Sequence, residues 1–137
     1  MTDIISALVA RIKTDPTVSA LSAGRIYEAE LSRSESEVMA RKAAVVSLAG
    51  GFETNMDLPI SSPRMEVWSY GEDYYQAGVL DRAICDVLKS LNRVVSEGVL
   101  LHSVAISGGP SQYRDPGNEW PVMIRNITVL ADDRDVI

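Results

Sequence analysis

The chain has 137 residues, 46% hydrophobic and 23% charged, with 13 basic against 19 acidic residues and a formal net charge of −6. That length fits one domain, residues 1–137, with enough chain to bury a core, and the acidic balance argues against a protein that grips nucleic acid by its phosphates. No apolar run approaches the roughly 20 residues of a membrane span, "MTDIISALVARIK" lacks the basic start and long apolar block of a signal peptide, and the single cysteine, Cys85, excludes an internal disulfide framework and fits a reducing compartment.

Ile4, Ile5, Leu8, Val9 and Ile12 recur at three- and four-residue spacings and predict an amphipathic helix. Asp15-Pro16 reads as the cap and first residue of a second, shorter helix, whose buried face carries Val18 and Leu21. Gly24 suits the left-handed position that ends it, so "SAGRIY" leads into a short strand from Arg25 to Glu28. Residues 29–42, "AELSRSESEVMARK", are rich in charge and poor in large apolar groups, and predict a surface connection with at most one helical turn near Ser36 to Met39.

"KAAVVSLAGG" alternates as a strand, with Ala44, Val46 and Leu48 on one face and Val45 on the other. "SPRMEVWSYG" is the next strand, with Met65 and Val67 opposite Glu66, Trp68 and Tyr70. The intervening "GFETNMDLPISS" is too long for a tight turn and predicts an extended loop or protruding hairpin. "DYYQAGVLDRAICDVLKSLN" is one long helix with a central line of Ala77, Leu80, Ile84, Val87 and Leu91, and Asp73 at its start complements the helix dipole. "GVLLHSVAIS" alternates poorly, which suggests burial on both faces. "GGPSQYRDPGNEWP" reads as an irregular connection, and "WPVMIRNITVLAD" as a long closing strand. The expected fold is therefore α+β: an antiparallel-rich sheet of about four to five strands, covered on one face by helices, with one long central helix and a flexible tail at about 131–137.

A search for chemistry finds no constellation. His102 is the lone histidine, in a predicted strand with no orienting acid at a telling distance in sequence. Cys85 falls mid-helix without the cation or helix N-terminus that a reactive thiolate needs, and one histidine with one cysteine argues against a zinc site of nitrogen and sulfur ligands within one chain. "DDRD" at 132–135 lacks the turns and spaced oxygens of a calcium loop. "NIT" at 126–128 matches a glycosylation acceptor but sits in a predicted strand. The glycine pairs are too short for a phosphate loop. No catalytic residue, cofactor or metal is expected. Trp68 and Trp120 read either as contact residues, since aromatics concentrate at interfaces, or as cover for the sheet.

"ALVARIKTDPTVSALSAGRIY" resembles the opening of the small tailed-phage proteins that complete or terminate the tail. "AAVVSLAGG" is similar to their first long strand, "RMEVWSYGEDYYQAGVLDRAICDVL" to their tryptophan-ended strand and long helix, and "YRDPGNEWPVMIRNITVL" to their closing strand. The resemblance runs from Ala7 to Leu130, and departs at the charged insert from Arg33 to Lys42 and at the poor alternation near Leu100. It implies a virion protein assembled in the host cytoplasm, a ring of six copies that caps the tail tube, ends its growth and joins the tail to a head-tail connector or neck protein. DNA would cross the lumen without specific binding. Phe52, Met56, Trp68, Trp120, Val136 and Ile137 are the candidate contacts with a neighbouring subunit or the tube, and Glu28, Glu30, Glu35 and Glu37 the candidate lumen carboxylates. The rival readings are another neck component, such as a connector or head-completion protein, and a soluble ligand-binding α+β module.

Overall fold

The computed structural model describes residues 4–31, 33–53 and 60–132. Helix α1 (Ile4–Lys13) buries Ala7, Leu8, Val9 and Ile12, the stripe its spacing predicts. Helix α2 (Pro16–Ser22) starts where Asp15 accepts a hydrogen bond from the Val18 amide at 3.0 Å. It ends one residue earlier than glycine chemistry suggests: Ala23 is the left-handed cap, at φ 52°, and Gly24 follows at φ 78°. Strand β1 (Ile26–Glu28) and the four-residue helix α3 (Arg33–Ser36) lead to β2 (Ala43–Glu53) and β3 (Ile60–Tyr70). Helix α4 (Tyr74–Ser90) follows, capped by Asp73, which accepts from the Gln76 amide at 2.8 Å. Strands β4 (Val94–Ser96), β5 (Val99–Arg114) and β6 (Pro121–Asp132) complete the chain.

The sheet has six strands in the order β1-β2-β3-β6-β5-β4, where four to five were expected. β1 runs parallel to β2, and each of the other neighbouring pairs is antiparallel. The added strand is β4, which turns into β5 through Glu97 and Gly98, both at positive φ. That is the backbone a two-residue hairpin turn requires. The longest helix, 17-residue α4, does not stand alone at the centre: it shares one layer with α1 and α2.

Two expectations about β5 are corrected. Its poor alternation comes from a register shift between Leu101 and Ser103, and not from burial on both faces. Val99 and Leu101 pack inward before the shift, and Val104 and Ile106 pack against the same core after it, because one extra residue reverses the alternation. The glycines and proline of "GGPSQYR" do not leave the sheet either. They form a second shift, between Ser107 and Ser111, inside a strand that continues to Arg114. Ala131 and Asp132, assigned to a flexible tail, are buried residues of β6, and residues 133–137 lie outside the described residues.

The main core lies between the helices and one sheet face. It includes Leu8, Ile12, Val18, Val46, Met65, Leu80, Ile84, Leu88, Leu101 and Ile127. Beside this core the half-buried Arg125 of β6 meets the buried Asp81 of α4, an ion pair that pins helix to sheet. The Asp81 contact holds the Arg125 guanidinium above its ordinary pKa. Cys85 sits one turn on from Asp81, and burial, with that carboxylate's help, pushes its thiol up to about 11. The thiol is therefore inert at neutral pH.

Candidate interaction surface

The second face of the sheet is free of the three longer helices α1, α2 and α4, and only the one-turn α3 reaches its margin, where Glu35 accepts from Tyr27. Three cross-strand rows cross it. One is Ser47, Glu66, Asn126 and Ser107; the next is Val45, Trp68, Ile124 and Ser111; the third is Ala43, Tyr70, Val122 and Tyr113. The first row is polar. The other two form a second apolar cluster of Ala43, Val45, Tyr70, Trp120, Val122 and Ile124, with Trp68, Tyr27, Leu31 and Ala40 packed at its margin. The "WSY" alternation places Trp68 and Tyr70 here, since every second residue of a strand points the same way. Their rings lie 6.4 Å apart, and Tyr70 meets Trp120 edge-on at 5.7 Å.

The loop from Asp115 to Trp120 is clasped onto this cluster. The Tyr70 hydroxyl donates to Asp115 Oδ2 at 2.7 Å. The other oxygen, Oδ1, accepts from the Gly117 amide at 2.8 Å. The Asp115 amide donates to the Trp120 carbonyl at 2.9 Å, and the Glu119 amide to the Asp115 carbonyl at 2.7 Å. Arg114 Nη1 adds a bond of 2.7 Å to the Glu119 carbonyl. Burial first, and then the Asp115 carboxylate, push the Tyr70 phenol far above its ordinary pKa, so it remains a neutral donor. This is a positioned loop rather than a titrating centre.

Trp68 lines two hollows on this face. One, of about 460 Å³, is walled by Leu31, Val45, Trp68, Tyr70, Pro116 and Asn118. The other, of about 320 Å³, lies against Glu66, Trp68, Tyr113, Pro116, Ile124 and Asn126. The Trp68 indole nitrogen is buried and has no acceptor among the described residues. A buried donor without an acceptor costs about 1–3 kcal/mol, so the indole is poorly satisfied among the described residues of the chain.

The structure sorts the predicted residues. Trp68 is half-buried on the helix-free face. Trp120 is 4% exposed and belongs to the chain's own second core, where it covers the sheet, one of its two readings. Phe52 lies in β2 with its backbone paired to Ser62; its side chain, like Met56, Val136 and Ile137, lies outside the described residues. Glu28, Glu30 and Glu37 are exposed, but Glu35 is 6% exposed. Arg41 grips both Glu35 oxygens at 2.7 Å, the Tyr27 hydroxyl donates to it at 3.1 Å, and Arg25 stands 3.8 Å away. Arg41 foremost holds the Glu35 carboxyl below its ordinary range. Glu35 is thus an internal counter-ion that fastens α3 to the strands beside it, with its carboxylate turned away from solvent. Sequence reading missed it because Glu35 stands in an apparently polar linker and its partners lie six to ten residues away, Arg41 in the same linker and Tyr27 and Arg25 at β1.

His102 sits half-buried at the β5 shift, with its carbonyl accepting from the Arg93 amide at 3.0 Å. Among the described residues no three His, Cys, Asp or Glu side chains gather as a metal site requires, and no helix is long and apolar enough to cross a membrane. No protein-family model matches the chain, and no curated protein matches it. Among solved structures it is similar to a chain of the virion of a native gene transfer agent particle, with a TM-score of 0.68 and 15% sequence identity over 94% of both chains. At that identity the likeness shows a shared fold over the matched 94% of each chain.

Proposed function

We propose that this chain is a structural protein of a tailed virion, and that it forms a ring, of six copies, on the upper end of the tail tube. The ring ends tube growth and docks the tail to the neck of the head, and DNA passes through it. The observation that carries this reading is the shared fold with a virion chain over 94% of both chains. The helix-free aromatic face and the exposed Glu28, Glu30 and Glu37 suit it. The first is a surface for another subunit or for the tube. The second is an acidic wall along which a polyanion slides without lodging, because phosphate binding depends on lysine and arginine contacts. Such a role needs interfaces and no active site.

The test uses the cognate tail tube protein. Tubes polymerised with the purified protein present should stop at a limited length and carry a six-fold density at one end in electron micrographs. They should then accept heads. Tubes that grow on unchanged and carry no added density would overturn the terminator role. Binding to isolated head connectors in that case would assign the chain to the neck instead.

A further inference from the structure

Two margins of the sheet are left open by strands that stop short. β1 pairs with β2 only at Ala44, Val45 and Val46, so Ser47 to Glu53 have no outer neighbour among the described residues. On the far side, β4 pairs with β5 only from Val99 to Leu101, and Ser103 to Arg114 have no outer neighbour among the described residues. An open strand edge offers a row of unused backbone donors and acceptors, and proteins that must stay monomeric blunt it with charge, above all lysine. Neither segment contains a lysine, and the interruptions they do carry, Pro110 and the shifts between Leu48 and Gly51 and between Ser107 and Ser111, leave Ser103 to Ser107 as a regular open stretch of β5. "SLAGGFE" has one charged residue, Glu53, and "SVAISGGPSQYR" has one, Arg114. Leu48 stands 61% exposed on the first edge.

The two edges are complementary in direction. β2 is antiparallel to β3, β3 to β6 and β6 to β5, so β2 and β5 run in opposite senses at opposite margins of one sheet. A second copy turned about an axis roughly parallel to the strands keeps its strand directions. Its β2 edge then meets the first copy's β5 edge antiparallel, the better of the two pairings. We infer that the occupant of each edge is a second copy of this chain, with β5 of one subunit adding to β2 of the next to make one sheet continuous across the boundary. The contact is head-to-tail, since each subunit gives a different edge to each neighbour, and contacts of that type close into a ring when the rotation per subunit divides the circle. Backbone hydrogen bonds supply the contact, as in strand addition generally. The inference rests on the ring reading and specifies how the ring closes.

Cysteine cross-linking on the cognate tube tests it, in a Cys85→Ala background. Leu48→Cys is combined in turn with a cysteine at each of positions 104–107 and 111–113. Leu48 shares the helix-bearing face with Met65, Ile127 and Ile106. Paired strands put like-facing residues side by side, and disulfides form only between close Cα atoms. Oxidation should therefore yield a covalent ladder up to the full ring with helix-face partners, at Val104, Ile106 or Gln112. Partners on the other face, at Ala105, Ser107, Ser111 and Tyr113, should give none, nor should any single cysteine. A ring that assembles but cross-links at no position, or without this alternation, would overturn the edge pairing and leave the capping role standing. Dimers from single β5 cysteines would replace it with a two-fold β5–β5 contact. A ladder in a protein that never joins a tube would keep the edge pairing and sink the capping role.

Discussion

Ala23 holds a backbone conformation that glycine takes without strain. At φ 52° it ends α2 as a left-handed cap, although Gly24 stands beside it. A Cβ in that region crowds the backbone. Ala23→Gly should therefore stabilise the chain by about 0.5–1 kcal/mol, read as a higher urea midpoint with unchanged slope. A lower midpoint would mean that the lost Cβ contacts outweigh the relief. At the same scale, Glu35 is tied by Arg41, Tyr27 and Arg25, which lower its carboxyl pKa. A group depressed in the folded state stabilises fully above its unfolded pKa and loses that contribution as pH falls through the folded value. Glu35→Gln should destabilise by about 1–3 kcal/mol at pH 7. The gap between wild type and variant should close as the pH falls below the ordinary carboxylate value of 4.5. A gap that stays constant from pH 7 to pH 3 would show that the ionised form is not what matters.

Among the elements, the join between β3 and α4 leaves least room. A Cβ on Gly71 would lie 2.4 Å from the Ala77 amide nitrogen and 2.8 Å from the Gln76 carbonyl carbon, both backbone atoms of the first turns of α4. Backbone cannot swing aside as a flexible side chain can. Gly71→Ala should cost about 1–3 kcal/mol or more by forcing α4 off the sheet face on which Asp81 meets Arg125. Gly109→Ala, where nothing lies within 4 Å, is the control. It should stay within about 0.5 kcal/mol of wild type. Equal losses in chemical denaturation would remove the steric account. The β5 shift is the other decisive feature at this scale: one extra residue near His102 lets Val104 and Ile106 reach the core that Val99 and Leu101 already occupy.

For the molecule as a whole, the helix-free face is the part least explained by stability alone. Its aromatic rows are half covered by the Asp115–Trp120 loop, and Trp68 keeps a buried indole nitrogen without an acceptor among the described residues. Trp68→Phe removes that donor and retains an apolar ring. In the free subunit the change should leave stability within about 1 kcal/mol or raise it, since an unsatisfied donor is lost. If the tube or a neighbouring subunit provides the acceptor, the same variant should cap tubes at a measurably higher protein concentration. Unchanged capping would mean that this face makes no such bond on assembly.

The residue pattern by itself determined the local order of the chain. The three- and four-residue spacing from Ile4 to Ile12 makes α1, Asp15-Pro16 starts α2, and Asp73 starts α4. The alternations in "AAVVSL" and "RMEVWSY" sort the faces of β2 and β3 before any partner strand is known. These are legible because helix and strand periods act over neighbouring residues. The tertiary structure alone decided what depends on distant partners. It made Glu35 an internal counter-ion, drew Trp120 into the chain's second core, and kept "GGPSQYR" inside β5 by pairing Ser111 to Arg114 with β6. It also left β2 and β5 as open edges of opposite direction, because strand order and the shortness of β1 and β4 emerge only when the sheet is assembled. Charge and glycine content describe a segment; which atoms its backbone meets is set by the rest of the chain.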